Sequence, residues 1–177
     1  PVTLAALEEE FLAMFLREWR AARGESPLTR IAIVDDAPAT QYLYPEFLLF
    51  QALFRRHGID ALIADPGELE IRDGRLVQAD RPVDLVYNRL TDFALDEPAH
   101  AGLRAAWLDD LALITPHPRA HALYADKRNL IPLTDPAWLR TTGVEPAVIE
   151  TLLQGIAHTR RVERTHAETL WAERKRL

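Results

Sequence analysis

"RIAIVDD", Arg30–Asp36, is a short apolar run that ends in two aspartates. A strand open to water on one face alternates apolar and polar residues. A run without alternation suits a parallel strand covered on both faces. After a loop, Pro45 starts a helix carrying Phe47, Leu48, Phe50, Leu53 and Phe54, closed by His57-Gly58. "DALIAD", Asp60–Asp65, repeats the strand pattern, so Ile31 to Ala64 reads as strand–helix–strand with an expected right-handed crossover.

Working outward, "VDLVYNR" (Val83–Arg89) is a third core strand and "LALIT" (Leu111–Thr115) a fourth. A helix between them follows Asp96-Glu97-Pro98 and carries Leu103, Ala106, Trp107 and Leu111. Alternation in "ELEIRDGRLVQA" (Glu68–Ala79) around Asp73-Gly74 predicts a small inserted hairpin. Upstream, Thr3 caps a helix to about Arg23, with Leu4, Leu7, Phe11, Met14 and Phe15 expected to pack on the domain. From Pro118 the chain turns helical, in pieces near 118–129, 136–141, 146–157 and 163–176. The expected fold class is therefore α/β: a Rossmann-like layer of about four parallel strands with a hairpin insertion, then a helical extension. The expected division is an N-terminal helix (1–29), an α/β domain (30–117) and the extension (118–177).

Composition narrows the function classes. The 177 residues carry a net charge of −6, which argues against general nucleic-acid binding. No apolar run approaches a membrane span and no signal-peptide pattern opens the chain, so a cytoplasmic protein is expected. Cysteine is absent, and Ser26, the only serine, sits in the linker "GESP", so thiol and serine nucleophiles are excluded. Pro1 and the uncapped ending "AERKRL" are read as the edges of a longer polypeptide.

In open parallel sheets, ligands bind beyond the carboxyl ends of the strands. The residues placed there are Asp35 and Asp36, Asp65, Asn88 and Arg89, and Thr115 with His117. The turn after the first strand, "DDAPATQYLYP", has no glycine, so dinucleotide binding is not expected. "IAIVDDAP" resembles the opening of response-regulator receiver domains, but Asn88 stands where their phosphoacceptor aspartate is required, and a carboxamide cannot form an acyl phosphate. His117 and His121 have metal-ligand spacing, yet Pro118 lies between them and no third ligand is evident.

Lys127, in "YADKRN" (Tyr124–Asn129), is one of only two lysines in the chain, the other being Lys175. Together "DLVYNR", "LALIT" and "ADK" make the run Asp84–Leu130 resemble the N-terminal part of ATP-grasp proteins, especially the glutathionylspermidine-synthase-like and circularly permuted branch. The resemblance extends over Ile31 to Asn129 as an order of elements with few fixed residues. It implies that Asp126-Lys127 matches the family's aspartate–lysine pair, whose lysine contacts a nucleotide phosphate. It implies too that Tyr87, Asn88 and Arg89 face the shared cleft, Arg89 gripping a substrate carboxylate, and Asp35 and Thr115, placed at the same rim by topology, are expected to join them on the substrate side. Such enzymes use ATP and Mg²⁺ to activate a small-molecule carboxylate as an acyl phosphate, which an amine then attacks.

The family's second phosphate lysine, glycine-rich loop and acidic magnesium ligands find no counterpart after Leu130. The expectation is therefore an N-terminal, pre-ATP-grasp portion of a carboxylate–amine ligase, inactive alone. The alternative is a non-catalytic Rossmann-like binding or assembly module that self-associates through helix 3–23 or the basic tail.

Overall fold

The computed structural model describes residues 3–175, with the side chains of Leu4 and Ala5 outside the description. The readings placed on Pro1, on the Leu4 side chain and on the end at 176–177 therefore fall outside the described residues. The chain forms two compact units, dividing between Ala122 and Leu123. The first helix belongs to the first unit, so the α/β unit extends over more of the chain than 30–117.

Helix α1, Leu4–Arg23, begins as expected: the Thr3 hydroxyl accepts the Ala6 N–H at 3.2 Å. Strands β1 (Arg30–Val34), β2 (Asp60–Ala64), β6 (Leu85–Asn88) and β7 (Leu113–Thr115) form one parallel sheet in the order β2-β1-β6-β7. Every residue of β1 is buried, as its unalternating sequence requires. The sheet carries α1 and α2 (Tyr44–Arg56) against one face, where Phe15 and Phe54 meet edge to face at 5.1 Å between ring centres. Helix α3 (Ala101–Leu108) and a second sheet cover the other face, through Leu69, Leu76, Leu103 and Ala106.

That second sheet enlarges the expected hairpin. Strands β3 (Glu70–Arg72) and β4 (Arg75–Gln78) turn at Asp73 and Gly74, with φ of 50° and 71°, and β5 (Arg81–Pro82) adds a third antiparallel strand. Positive φ at both turn residues is what a two-residue hairpin of the primed type demands. Arg30, 7% exposed, donates to the Gln78 and Arg81 carbonyls at 3.0 and 2.8 Å and pairs with Asp60 at 3.1 Å. Asp84 accepts the Thr29 and Arg30 N–H groups at 2.8 and 2.9 Å. The amino-terminal rim of the main sheet is thus occupied by the protein's own polar contacts, in keeping with a site at the carboxyl rim.

Four expectations are corrected. On α1 the buried residues are Leu12, Phe15 and Trp19, whereas Leu7, Phe11 and Met14 are 44%, 39% and 42% exposed. At 3.6 residues per turn the two triplets lie about a quarter turn apart, too far to share one buried stripe. On α2, Leu48 falls off the face of Phe47 and Phe54 and is exposed. The helix expected over 118–129 breaks: α4 is Pro118–Tyr124, a 3-10 turn follows at Lys127–Asn129, and α5 is Leu130–Leu133. The Asp126 carboxylate accepts the Arg128 N–H at 2.8 Å, starting a new turn instead of continuing the old helix. The fourth strand is also shorter than "LALIT": Leu111 N–H returns to the Ala106 carbonyl at 2.9 Å, after Asp110 at φ 55°.

The second unit continues with α6 (Pro136–Thr141), α7 (Pro146–Gly155) and α8 (Ala167–Glu173). Asp135 caps α6 through the Ala137 and Trp138 N–H groups, and Leu139 and Ile149 are its buried apolar residues. None of the described helices is long and apolar enough to cross a membrane.

Candidate functional site at the carboxyl rim of the parallel sheet

Strand order reverses between β1 and β6: from β1 the chain moves outward to β2, then crosses back to β6 on the other side. The crevice beyond the carboxyl ends of such a pair is where open α/β sheets take ligands. Here that rim is bounded by Asp35 and Asp36 after Val34, and by Asn88 and Arg89 at the end of β6.

Pleating divides these residues. Tyr87 and Arg89 project to the α1/α2 face. The Arg89 guanidinium pairs with Glu46 of α2 at 3.0 Å and donates to the Tyr87 hydroxyl at 3.1 Å. It also lies 5.2 Å from the centre of the Tyr87 ring. Tyr87 is wedged among Phe15 and Phe50, and burial pushes its phenol above the ordinary range. Arg89 is still 24% exposed, so the guanidinium reaches the rim already holding a carboxylate. Asp35 stands close enough to feel its charge. Burial raises the Asp35 carboxyl above its usual range, outweighing the Asp36 N–H bond and the Arg89 charge, which act the other way.

On the opposite face Asn88 is 2% exposed. Its Oδ1 accepts the Leu90 N–H at 3.0 Å, and its Nδ2 is buried without a partner among the described residues. Asp65 fastens the loop after β1, accepting the Ala37 N–H at 2.9 Å while capping its own turn through Gly67 at 2.9 Å. Those two backbone bonds hold its carboxyl below the usual range.

The central group of this rim was missed in the sequence. His100 is 1% exposed, with Nδ1 2.8 Å from Asp92 and Nε2 3.0 Å from Asp36. Desolvation works against the imidazolium, but the hydrogen bonds it donates to Asp36 and Asp92 outweigh it and the His100 pKa is raised. Asp92 is desolvated as well, yet the Glu97 N–H and His100 bring its carboxyl down to about 2. His100, held between two carboxylates, therefore bolts the loop after β1 to the loop after β6. The available signal was "TDFALDEPAH": an aspartate and a histidine bracketing the turn before α3.

Thr115 ends β7 at this rim as expected, but its side chain is buried and donates to Glu18 of α1 at 2.6 Å. His117 and His121 go separate ways. The His117 ring packs edge-on to Trp107 at 5.7 Å, and the His121 ring stacks on Phe93 at 3.7 Å. Among the described residues no group of three or more histidine, aspartate or glutamate side chains is arranged to hold a metal.

Asp126 and Lys127 lie in the second unit. Asp126 is bound to Arg128, by the backbone bond and an ion pair, and so shapes the turn that Lys127 begins. Lys127 is exposed and forms no ion pair among the described residues. No protein-family model matches the chain, and no curated protein matches it.

Proposed function

We propose that this chain supplies the substrate-side α/β layer of an ATP-grasp-type carboxylate–amine ligase. The observation that carries the reading is the placement of Asp35 after β1 and Arg89 after β6, at the ends of neighbouring strands on either side of the switch point of a parallel sheet. The guanidinium, held by Glu46, and a carboxyl with a raised pKa both border that rim, on loops locked by His100.

Each residue then has a role. Arg89 binds the substrate carboxylate in a bidentate grip, exchanging it for the half-exposed Glu46. Asp35 takes the proton that the attacking amine must lose as its nitrogen becomes an amide, a task helped by its raised pKa. ATP, when bound, supplies the phosphoryl group that activates the carboxylate. Lys127 fits a single phosphate contact, being exposed and unpaired among the described residues. The described residues do not fit a magnesium site, and no step here runs through one.

Calorimetric titration tests the reading. The chain should bind ATP, and Lys127→Ala should weaken that binding without shifting thermal unfolding. No ATP binding by the wild-type chain, or unchanged affinity in Lys127→Ala, would remove the nucleotide half of the proposal.

A further inference from the structure

We infer that the hollow between the carboxyl ends of α1 and α2 is a second ligand site, built for an α-amino acid with a bulky apolar side chain. It lies toward the amino ends of the strands, away from Asp35 and Arg89, and has a volume of about 380 Å³, within the range of small-molecule sites. Leu12, Leu16, Trp19 and Arg20 recur at helical spacing along one side of α1, so three apolar residues lead up to one guanidinium. Leu28 and Ile59, just ahead of β1 and β2, complete the apolar lining. The loop between α1 and β1 is pinned over this floor. Gly24 turns the chain at φ 62°, and the Trp19 indole N–H donates to the Ser26 carbonyl at 2.7 Å. Trp19 is only 6% exposed, so this wall is ordered before a ligand arrives.

Charge at the lip selects the ligand class. Arg20 and Glu25 both border the hollow, both are exposed, and neither forms an ion pair among the described residues. His57, the remaining ionisable side chain of the lining, has its Nε2 3.8 Å from Glu9. A simple carboxylic acid would bring its charge near Glu25, and a simple amine near Arg20. A zwitterion satisfies both, its carboxylate on the Arg20 guanidinium and its ammonium on the Glu25 carboxylate. Glu25 also follows the carboxyl end of α1, where the helix dipole adds to its attraction for a cation. The apolar side chain then displaces water from Leu16, Trp19 and Leu28.

A ¹⁵N-detected titration of the full chain with L-leucine and L-phenylalanine tests this. Saturable shifts are expected at the Trp19 indole N–H and at the amides of Glu25, Ser26 and Leu28. For the tighter-binding amino acid, the analogue without the ammonium group and the analogue without the carboxylate should each bind about tenfold more weakly. Arg20→Gln should weaken the amino acid by about tenfold without weakening the carboxylate-free amine. Glu25→Gln should weaken it as much without weakening the ammonium-free acid. No saturable shift with either amino acid, shifts that spare Trp19 and this loop, or equal losses for all three ligands in either variant would each overturn the inference. Asp35, Arg89 and ATP take no part in these measurements, so failure here is distinguishable from failure of the ligase reading.

Discussion

Replacing His100 by alanine removes the bolt between the loops after β1 and β6, and its cost can be worked from the geometry. The Nδ1 bond goes to Asp92, whose side chain is 11% exposed, so the carboxylate cannot recover its solvation in water. Hydrogen bonds to charged groups contribute about 1.5–3 kcal/mol. The Nε2 bond goes to Asp36, which is 55% exposed and readily rehydrated, so it is discounted to about 0.5 kcal/mol. The sum is about 2–3.5 kcal/mol at pH 6, measured by urea denaturation. The sign with pH follows from the raised His100 pKa. Stability from the imidazolium is fully present below the unfolded-state value, near 6.5, and is lost as pH rises through the folded one. The gap between wild type and His100→Ala should therefore narrow on the alkaline side. A penalty under about 0.5 kcal/mol, or one that does not change with pH, would refute the assignment of His100 as a charged bridge.

Two other perturbations follow from the same structure. Asp65→Ala should cost about 1–2 kcal/mol near neutral pH, because the Ala37 and Gly67 N–H groups lose their acceptor. The Asp65 pKa is lowered, so this stabilisation is present above the ordinary carboxylate range and fades as pH falls through the folded value; denaturation in acid should show the two proteins converging. Phe15→Ala should destabilise by about 3–5 kcal/mol in chemical denaturation, since the ring is wholly buried against Phe54 and Tyr87.

The parallel layer was legible because burial on both faces leaves an unmistakable mark. Ile31–Val34 and Leu85–Val86 have no polar position to confuse a helix with a strand. The face of α1 was harder to read: Leu7, Phe11 and Met14 repeat at helical spacing as well as Leu12, Phe15 and Trp19 do, and periodicity alone cannot say which stripe meets the sheet. The break at Asp126 turned on a side chain competing with the backbone for one N–H group, a contest that composition does not settle. At the rim, topology placed Asp35, Asp65, Asn88 and Arg89 correctly at strand ends. Thr115 also ends its strand as expected, but its pleat position aims the side chain at Glu18. His100 escaped notice because its partners Asp36 and Asp92 come together only once β1 and β6 are neighbours.

The most direct test is the pattern of backbone amide shifts in a ¹⁵N-labelled sample of the chain, titrated with a panel of small carboxylic acids and primary amines. The account predicts saturable shifts gathered at Asp35–Ala37 and Asn88–Leu90, on the two loops that flank the switch point, and their loss in Arg89→Met. Saturable shifts confined to other parts of the α/β unit, with those loops unmoved, would contradict it.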